Sequence, residues 1–130
     1  ESPLRGRDFV TRKITYHVSR DLPYDLANLT SRRDWGHAAD YVRAMHLMLQ
    51  SDPDDFVVAT GETHSVQDFV DESEKHVTWK RKHAVVVATE RPWDVTELEG
   101  NPEKINQKLG WAPTVAFKGL VEDMMVNEKT

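Results

Sequence analysis

Apolar residues recur at helical spacing along much of the chain and predict a series of helices. The clearest pattern runs from Ala38 to Leu49, where an apolar stripe at i, i+3, i+4 and i+7 must face a core. Ser65 and Asp68 have the spacing of a capping box, and Asn101-Pro102 is typical of a helix start. The predicted helices lie between Asp8, as the N-cap, and Pro23, then over 38–49, 66–76, 102–109 and 117–125.

The other apolar segments have the alternating or continuous pattern of strands. Tyr24 and Leu26 alternate with polar neighbours, whereas the run from Phe56 to Thr60 is continuous, as in a buried parallel strand. The predicted strands lie at 24–26, 32–35, 56–60, 77–79 and 84–88. A parallel sheet cannot be built from one buried strand, so we expect a mixed α/β chain whose sheet partners lie outside these 130 residues.

Composition limits the size of the core and the kind of protein. The chain has 130 residues, 38% of them hydrophobic, and a mean hydropathy of −0.63, which fits one domain with a small core. The absence of cysteine excludes disulfides and is compatible with a reducing cytosol. The longest apolar run, 84–88, is too short to span a membrane. Because the chain starts at Glu1 with no signal region after it, we expect it to belong to a longer protein.

Charge and motifs exclude several function classes. A net charge of −5 argues against nonspecific binding to nucleic acid, so an anionic ligand requires a local group of cations. The sequence contains no glycine-rich loop for a mononucleotide or dinucleotide. Its histidines never fall at metal-ligand spacing, and no serine lies in a nucleophile motif.

Basic residues at element boundaries are the remaining candidates for binding: Arg5, Lys13, Arg33 and Arg91. A guanidinium group offers a planar fork of donors that matches phosphate oxygens, and a diphosphate needs such groups from several segments. Each of these residues, taken singly, is more commonly a solvated charge or one half of a weak surface ion pair. Composition and spacing leave both interpretations open.

Longer strings of residues are more specific. They are Glu1-Ser2-Pro3-x-Arg5-Gly6, Phe9-Val10-Thr11-Arg12-Lys13-Ile14, Arg33-Asp34-Trp35-Gly36-His37-Ala38-x-Asp40-Tyr41-Val42, Asp55-Phe56-Val57-Val58-Ala59-Thr60-Gly61, His64-Ser65-Val66, Arg91-Pro92-x-x-Val95, Lys108-Leu109-Gly110-Trp111-x-Pro113 and Val115-Ala116-Phe117. In this order they resemble the GDP-mannose 4,6-dehydratases, a family of extended short-chain dehydrogenase/reductases. The chain departs from the family at Leu4, where a second arginine is usual, and is shorter around 21–26 and 74–90.

The resemblance implies the fold class and the position of this chain within a longer enzyme. Residues 1–130 would be the C-terminal nucleotide-sugar-binding region of an extended short-chain dehydrogenase, a mixed α/β lobe with a late Rossmann strand and helix. Segment 36–61 would pack on the Rossmann domain. In the family, the NADP-binding loop and the catalytic residues precede the position of Glu1, so no catalytic residue and no metal ligand is expected here.

The resemblance also implies roles for single residues. Arg5 would contact NADP. The residues that it assigns to the substrate are Val10 and Lys13 at the GDP moiety, Arg33 and Arg91 at the diphosphate, and Asp94, in place of a family glutamate, at the ribose.

The implied activity is the NADP-dependent conversion of GDP-mannose to GDP-4-dehydro-6-deoxymannose, with this chain supplying the sugar-nucleotide site. The isolated chain is expected to be inactive, and the enzyme to be cytoplasmic and a homo-oligomer, either dimer or tetramer. We expect neither nucleic acid nor membrane as a partner. Two alternatives remain: another nucleotide-sugar dehydratase or epimerase, and a noncatalytic binding or assembly module whose arginines serve a protein interface.

Overall fold

The computed structural model has the mixed order of helices and strands that the sequence predicts. It describes residues 1–79, 84–86 and 93–128. The helices are α1 (Val10–Ser19), α2 (Ala38–Leu49), α3 (Val66–Glu74), α4 (Glu103–Leu109) and α5 (Phe117–Glu128). The strands are β1 (Tyr24–Leu26), β2 (Arg32–Arg33), β3 (His64–Ser65), β4 (Ala84–Val86) and β5 (Glu97–Leu98).

The strands form two small sheets within the described residues. β1 pairs in parallel with β4, with Tyr24 opposite Ala84. β2 is the central strand of the other sheet, antiparallel to β3 and parallel to β5. Arg33 therefore lies between His64 on one side and Leu98 on the other, and its backbone is fixed from both sides.

The helix ends agree with most of the local signals. Ser65 and Asp68 form the predicted capping box, in which each side chain accepts a hydrogen bond from the other residue's backbone N–H. α4 ends at Gly110, which has the left-handed conformation that glycine tolerates. The prediction of Asp8 as N-cap of α1 is wrong, because the helix begins one residue later than that cap requires. Phe9 occupies the cap position and makes no side-chain cap.

The buried apolar residues are divided between two cores. The larger core lies among α1, α3, α5 and β1 and consists of Ile14, Val18, Tyr24, Leu26, Trp35, Val66, Phe69, Val70, Leu120, Val121, Met124 and Met125. The smaller core is built on Ala44, Ile105 and Trp111, from α2, α4 and the residue that follows Gly110. Burying a large apolar side chain contributes about 1.5–3 kcal/mol, so α2 and α4 depend on a few contacts for their position.

Two of the predicted strands do not form. Residues 56–60 contain no strand, because no strand of the described residues lies beside them to exchange backbone hydrogen bonds. Residues 77–79 also form none, and Trp79 instead donates its Nε1–H to the carbonyl oxygen of Val18 at 3.1 Å. The prediction for 84–88 is confirmed over β4, while residues 87 and 88 lie outside the described residues.

The apolar stripe predicted on α2 is covered only in part. Tyr41 and Met48 pack against the smaller core. Val42, Met45 and Leu49 are 63%, 59% and 81% exposed, so the prediction that the whole stripe faces a core is wrong for the described part of the chain. The physical reason is that the described residues place nothing over this outer side of the helix.

A buried ion cluster joins α1 to α5. The carboxylate of Glu128 is buried at the end of α5, where it accepts hydrogen bonds from Nε of Arg12 and, at 3.2 Å, from Nη1 of Arg20. Arg12 also donates through Nη1 to the carbonyl oxygens of Pro3 and Arg5. The N-terminal segment, α1 and α5 are thereby tied at one point.

Asp40 plays the corresponding part in the smaller core. Its buried carboxylate accepts hydrogen bonds from the backbone N–H groups of Thr114 and Val115, both at 2.9 Å, and from the Thr114 hydroxyl at 2.7 Å. Arg43 donates to this carboxylate at 3.0 Å. The backbone carbonyl oxygen of Asp40 accepts a hydrogen bond from the indole N–H of Trp111 at 2.9 Å. These bonds anchor the start of α2 to the segment between α4 and α5.

Candidate functional site

A cavity of about 350 Å³ lies between α1, β1, β2 and the segment before β5. Four residues that the sequence assigns to a substrate line it together: Val10, Lys13, Arg33 and Asp94. They come from three separate parts of the chain, and the fold brings them to one place. Of the other predicted residues, Arg5 does not line this cavity, and Arg91 lies outside the described residues.

α1 supplies two of these side chains because Val10 and Lys13, three residues apart, share a helix face. The Nζ atom of Lys13 donates a hydrogen bond at 3.2 Å to Oδ1 of Asp25 in β1. That hydrogen bond is the main cause that lowers the pKa of the Asp25 carboxyl group. Because both side chains reach solvent, the pair is of the weak surface type, and a polyvalent anion can compete with Asp25 for the lysine.

The guanidinium group of Arg33 is held by three acceptors. Its Nη1 atom donates to the carbonyl oxygens of Arg32 and Val95, both at 2.8 Å, and its Nη2 atom donates to Oδ1 of Asp94 at 3.1 Å. The Nε proton and the second Nη2 proton have no partner among the described residues, and the side chain is 25% exposed. Arg33 therefore retains donors for an anionic ligand in the cavity.

Asp34 fixes the end of the strand that carries Arg33. Its carboxylate accepts hydrogen bonds from the backbone N–H groups of Thr60 and Gly61 at 2.9 Å and of Gly100 at 3.3 Å, and from the Thr60 hydroxyl. Gly100 is needed at this point because a Cβ atom there would overlap the side chain of Ala59. The chain after β5 is thereby held beside β2.

Sequence reasoning missed several polar residues of the cavity lining: Asp8, Asp25, Asn28 and Ser31. The alternation of Tyr24, Asp25 and Leu26 is a sequence signal that could have placed Asp25 on the side away from the core, and in β1 Asp25 is exposed between two buried residues. Asn28 is a residue typical of turns, and its Oδ1 atom accepts a hydrogen bond from the backbone N–H of Thr30 at 2.7 Å. No local pattern relates these residues to α1.

Arg5 lies in the segment before α1. Its Nε atom is 3.2 Å from Oε2 of Glu1, and its Cζ atom lies 3.4 Å from the centroid of the Phe9 ring. Its Nη groups donate to no described residue, so they are suited to a phosphate. Neighbouring Leu4 is 93% exposed.

The described part of the chain offers neither a metal-binding cluster nor a membrane-spanning helix. No group of three or more histidine, aspartate or glutamate side chains could hold a metal ion there. No helix in that part is long and apolar enough to cross a bilayer.

Protein relatives match nearly the whole chain. GDP-mannose 4,6 dehydratase of Drosophila melanogaster is 46% identical, in a match that covers 96% of this chain and 38% of the relative. The Homo sapiens protein of the same name is 44% identical, and the match covers 96% of this chain and 40% of the relative. GDP-mannose 4,6 dehydratase 1 of Arabidopsis thaliana is 46% identical, and the match covers 98% of this chain and 37% of the relative. The chain thus spans about two fifths of the length of these relatives.

Solved structures confirm the predicted fold class. RMD from Pseudomonas aeruginosa, complexed with NADPH, has a TM-score of 0.87 at 13% identity, with 98% of this chain and 45% of that chain covered. The Thermus thermophilus UDP-glucose 4-epimerase, complexed with NAD, has a TM-score of 0.89 at 21% identity, with 99% of this chain and 43% of that chain covered.

A family model described as GDP-mannose 4,6 dehydratase matches residues 1–124. With such a match over most of its length, the chain belongs to the GDP-mannose 4,6-dehydratase family.

Proposed function

We propose that this chain provides the sugar-nucleotide site of an NADP-dependent GDP-mannose 4,6-dehydratase, which converts GDP-mannose to GDP-4-dehydro-6-deoxymannose. The observation that carries the proposal is the cavity in which Val10, Lys13, Arg33 and Asp94 meet. A diphosphate requires cations from different segments of the chain. Lys13 can exchange its weak pair with Asp25 for a phosphate, and Arg33 retains hydrogen-bond donors for one. Family membership supports GDP-mannose as the nucleotide sugar.

Within this proposal, the described residues bind and orient the substrate. Lys13 and Arg33 neutralise the diphosphate, and Val10 gives the nucleotide an apolar contact. A substrate held at its diphosphate has lost much of its rotational and translational freedom before the reaction starts, which lowers the barrier. The groups that transfer protons are proposed to come from the part of the relatives that this chain does not match.

Arg5 is the residue proposed to hold the nicotinamide cofactor. Its free Nη groups suit a phosphate, and its stacking on Phe9 holds the side chain in place without occupying those groups. The NADPH and NAD of the structurally similar enzymes support a cofactor of this class. Such a cofactor, when bound, supplies hydride transfer.

The outer side of α2 is proposed to pack on the cofactor-binding domain, together with the rest of segment 36–61. Val42, Met45, Leu49 and Val57 are each more than half exposed in the chain by itself. An apolar surface of this kind is typical of an interface with another domain. This interface would also supply the neighbours that residues 56–60 need to form their predicted strand.

Removing Arg33 or Lys13 is expected to weaken nucleotide binding. Isothermal titration of the purified chain with GDP should show saturable binding, and Arg33→Ala should reduce the affinity roughly 10- to 100-fold, because a hydrogen bond to a charged group contributes about 1.5–3 kcal/mol. Lys13→Ala should have a smaller effect, since Asp25 already competes for the lysine.

The matched control is Lys118→Ala, which removes an exposed cation from α5 outside the cavity. It should leave the affinity unchanged. Preference for UDP-glucose or dTDP-glucose over GDP-mannose would replace the proposed substrate with that of another nucleotide-sugar enzyme. Variants that leave the affinity untouched while disrupting association with another protein would support a noncatalytic module.

Joining this chain to the part of a relative that it does not match is expected to give dehydratase activity. In a chimera, residues 1–124 would replace the matching region of the Drosophila melanogaster protein. Turnover of GDP-mannose should depend on Arg33, whereas the isolated chain should show none. A folded chimera that binds GDP but turns over only another nucleotide sugar would contradict the proposed reaction.

A further inference from the structure

We propose that Asp94 acts on nucleotide binding as a positioning residue for Arg33. The identity of the ligand rests on the proposed function, but the positioning itself rests on the geometry of the free chain. The ribose contact that the family resemblance implies for this position is the alternative from which the experiment below distinguishes it.

The pairing of β2 with β5 delivers Asp94 to the arginine. The backbone N–H of Arg32 donates to the carbonyl oxygen of Thr96 at 2.8 Å, and that of Asp34 donates to the carbonyl oxygen of Leu98 at 3.1 Å. These bonds flank Arg33 on both sides and fix the register of the two segments. The residues just before β5 therefore lie beside the Arg33 side chain because of backbone pairing, independently of any ligand.

Asp94 and Val95 then hold different nitrogen atoms of the guanidinium group. Oδ1 of Asp94 accepts from Nη2 at 3.1 Å, while the Val95 carbonyl oxygen accepts from Nη1 at 2.8 Å. Because the group is planar, acceptors on two of its corners set its orientation. A free arginine side chain loses rotamer entropy on binding, and this arrangement removes part of that loss before the ligand arrives.

The sign of the charge separates positioning from direct binding. The Asp94 carboxylate is negative and lines the same cavity as Lys13 and Arg33, so by itself it repels a diphosphate. It can improve affinity for a diphosphate only through the order that it gives to Arg33. The benefit of Asp94 must therefore disappear when Arg33 is absent.

A double-mutant cycle measured with GDP tests this dependence. Asp94→Ala should weaken GDP binding about fivefold, the expected cost of freeing one long side chain, but should weaken it no further in the Arg33→Ala background. Asp94→Asn keeps an acceptor for Nη2 and should restore most of the affinity. Binding of 2′,3′-dideoxy-GDP should fall by the same factor as that of GDP.

Two results would overturn the inference. Tighter GDP binding by Asp94→Ala would show that the carboxylate only competes with the ligand for Arg33. The second result is a loss of affinity in Asp94→Ala that is seen with GDP but not with 2′,3′-dideoxy-GDP and that persists in the Arg33→Ala background. It would show that Asp94 acts through the ribose and not through Arg33.

A measurement without nucleotide keeps the positioning role testable if GDP does not bind. In the ligand-free chain, the ¹⁵N–¹H signals of the Arg33 guanidinium group should show hindered rotation, and Asp94→Ala should average them. Asp8→Ala, which removes another carboxylate from the cavity lining, is the control and should leave these signals unchanged. Failure of GDP to bind, with the NMR result as expected, would reject the proposed function alone, whereas unchanged signals in Asp94→Ala would reject the positioning role.

Discussion

Glu128→Ala is expected to lower the free energy of unfolding by about 3 kcal/mol, as measured by urea denaturation. The carboxylate is buried, and its removal leaves the guanidinium groups of Arg12 and Arg20 without their partner between α1 and α5. The loss should lie at the lower end of the range for broken buried pairs, because Arg12 keeps its bonds to two backbone carbonyl groups.

Glu122→Ala is the matched control for this substitution, because Glu122 is exposed on the same helix. It should change the unfolding free energy by less than about 0.5 kcal/mol. The apolar pair Arg12→Met with Glu128→Leu should regain only part of the loss. It removes the unpaired charge of Arg12, but Arg20 still lacks its carboxylate, and the carbonyl oxygens of Pro3 and Arg5 lose their donor. Equal losses in Glu128→Ala and Glu122→Ala would show that the ion cluster contributes no stability.

Asp40→Ala is expected to cost about 3 kcal/mol at neutral pH and to reduce the sensitivity of the chain to acid. Burial by itself would raise the pKa of this carboxyl group, but hydrogen bonds from Thr114, Val115 and Arg43 outweigh it and lower the pKa from 3.8 to about 2. A carboxyl group whose pKa is lowered by folding stabilises the folded state at pH values above its unfolded-state pKa. That contribution, about 2 kcal/mol, is lost as the pH falls from about 4 towards 2.

The measurement is the unfolding free energy of wild type and Asp40→Ala at a series of pH values between neutral and about 2. The difference between the two proteins should be largest at neutral pH and shrink on acidification. Asp52→Ala, which removes an exposed carboxylate, should follow the wild-type curve. A difference that stays constant over the whole range would mean that Asp40 acts only by filling space.

Local patterns predicted the helices because their signals lie within a few residues. The bounds of α2 agree with the 38–49 periodicity, and the capping box at Ser65 and the glycine at the end of α4 are both present. These features depend on a side chain and a backbone group that are neighbours in sequence. They required no knowledge of the rest of the fold.

Contacts between distant segments were harder to predict. Phe56 to Thr60 has the composition of a buried strand but forms none in the described residues, because composition cannot supply a partner. The pairing of Asp94 with Arg33 depends on the register of β2 with β5, strands of two residues each that carry no periodicity. The meeting of four site residues in one cavity followed from resemblance, not from any pattern within the chain.

The apolar run from Phe56 to Thr60 has a consequence for how copies of this chain behave in solution. Phe56 and Val58 pack against the smaller core, and Val57 is exposed between them. If this segment separates from the core, it is free of charge and proline and has no pairing strand among the described residues, so it is suited to recruiting the same segment of another molecule into cross-β aggregates. Three aspartates, Asp52, Asp54 and Asp55, stand immediately before it. Asp54 is paired with Lys104 and Lys108 of α4, so Asp52 and Asp55 are the carboxylates whose charge is available to keep copies apart. Neutralising Asp52 and Asp55 is therefore expected to lower the concentration at which the chain stays dispersed, with little change in the stability of a single molecule.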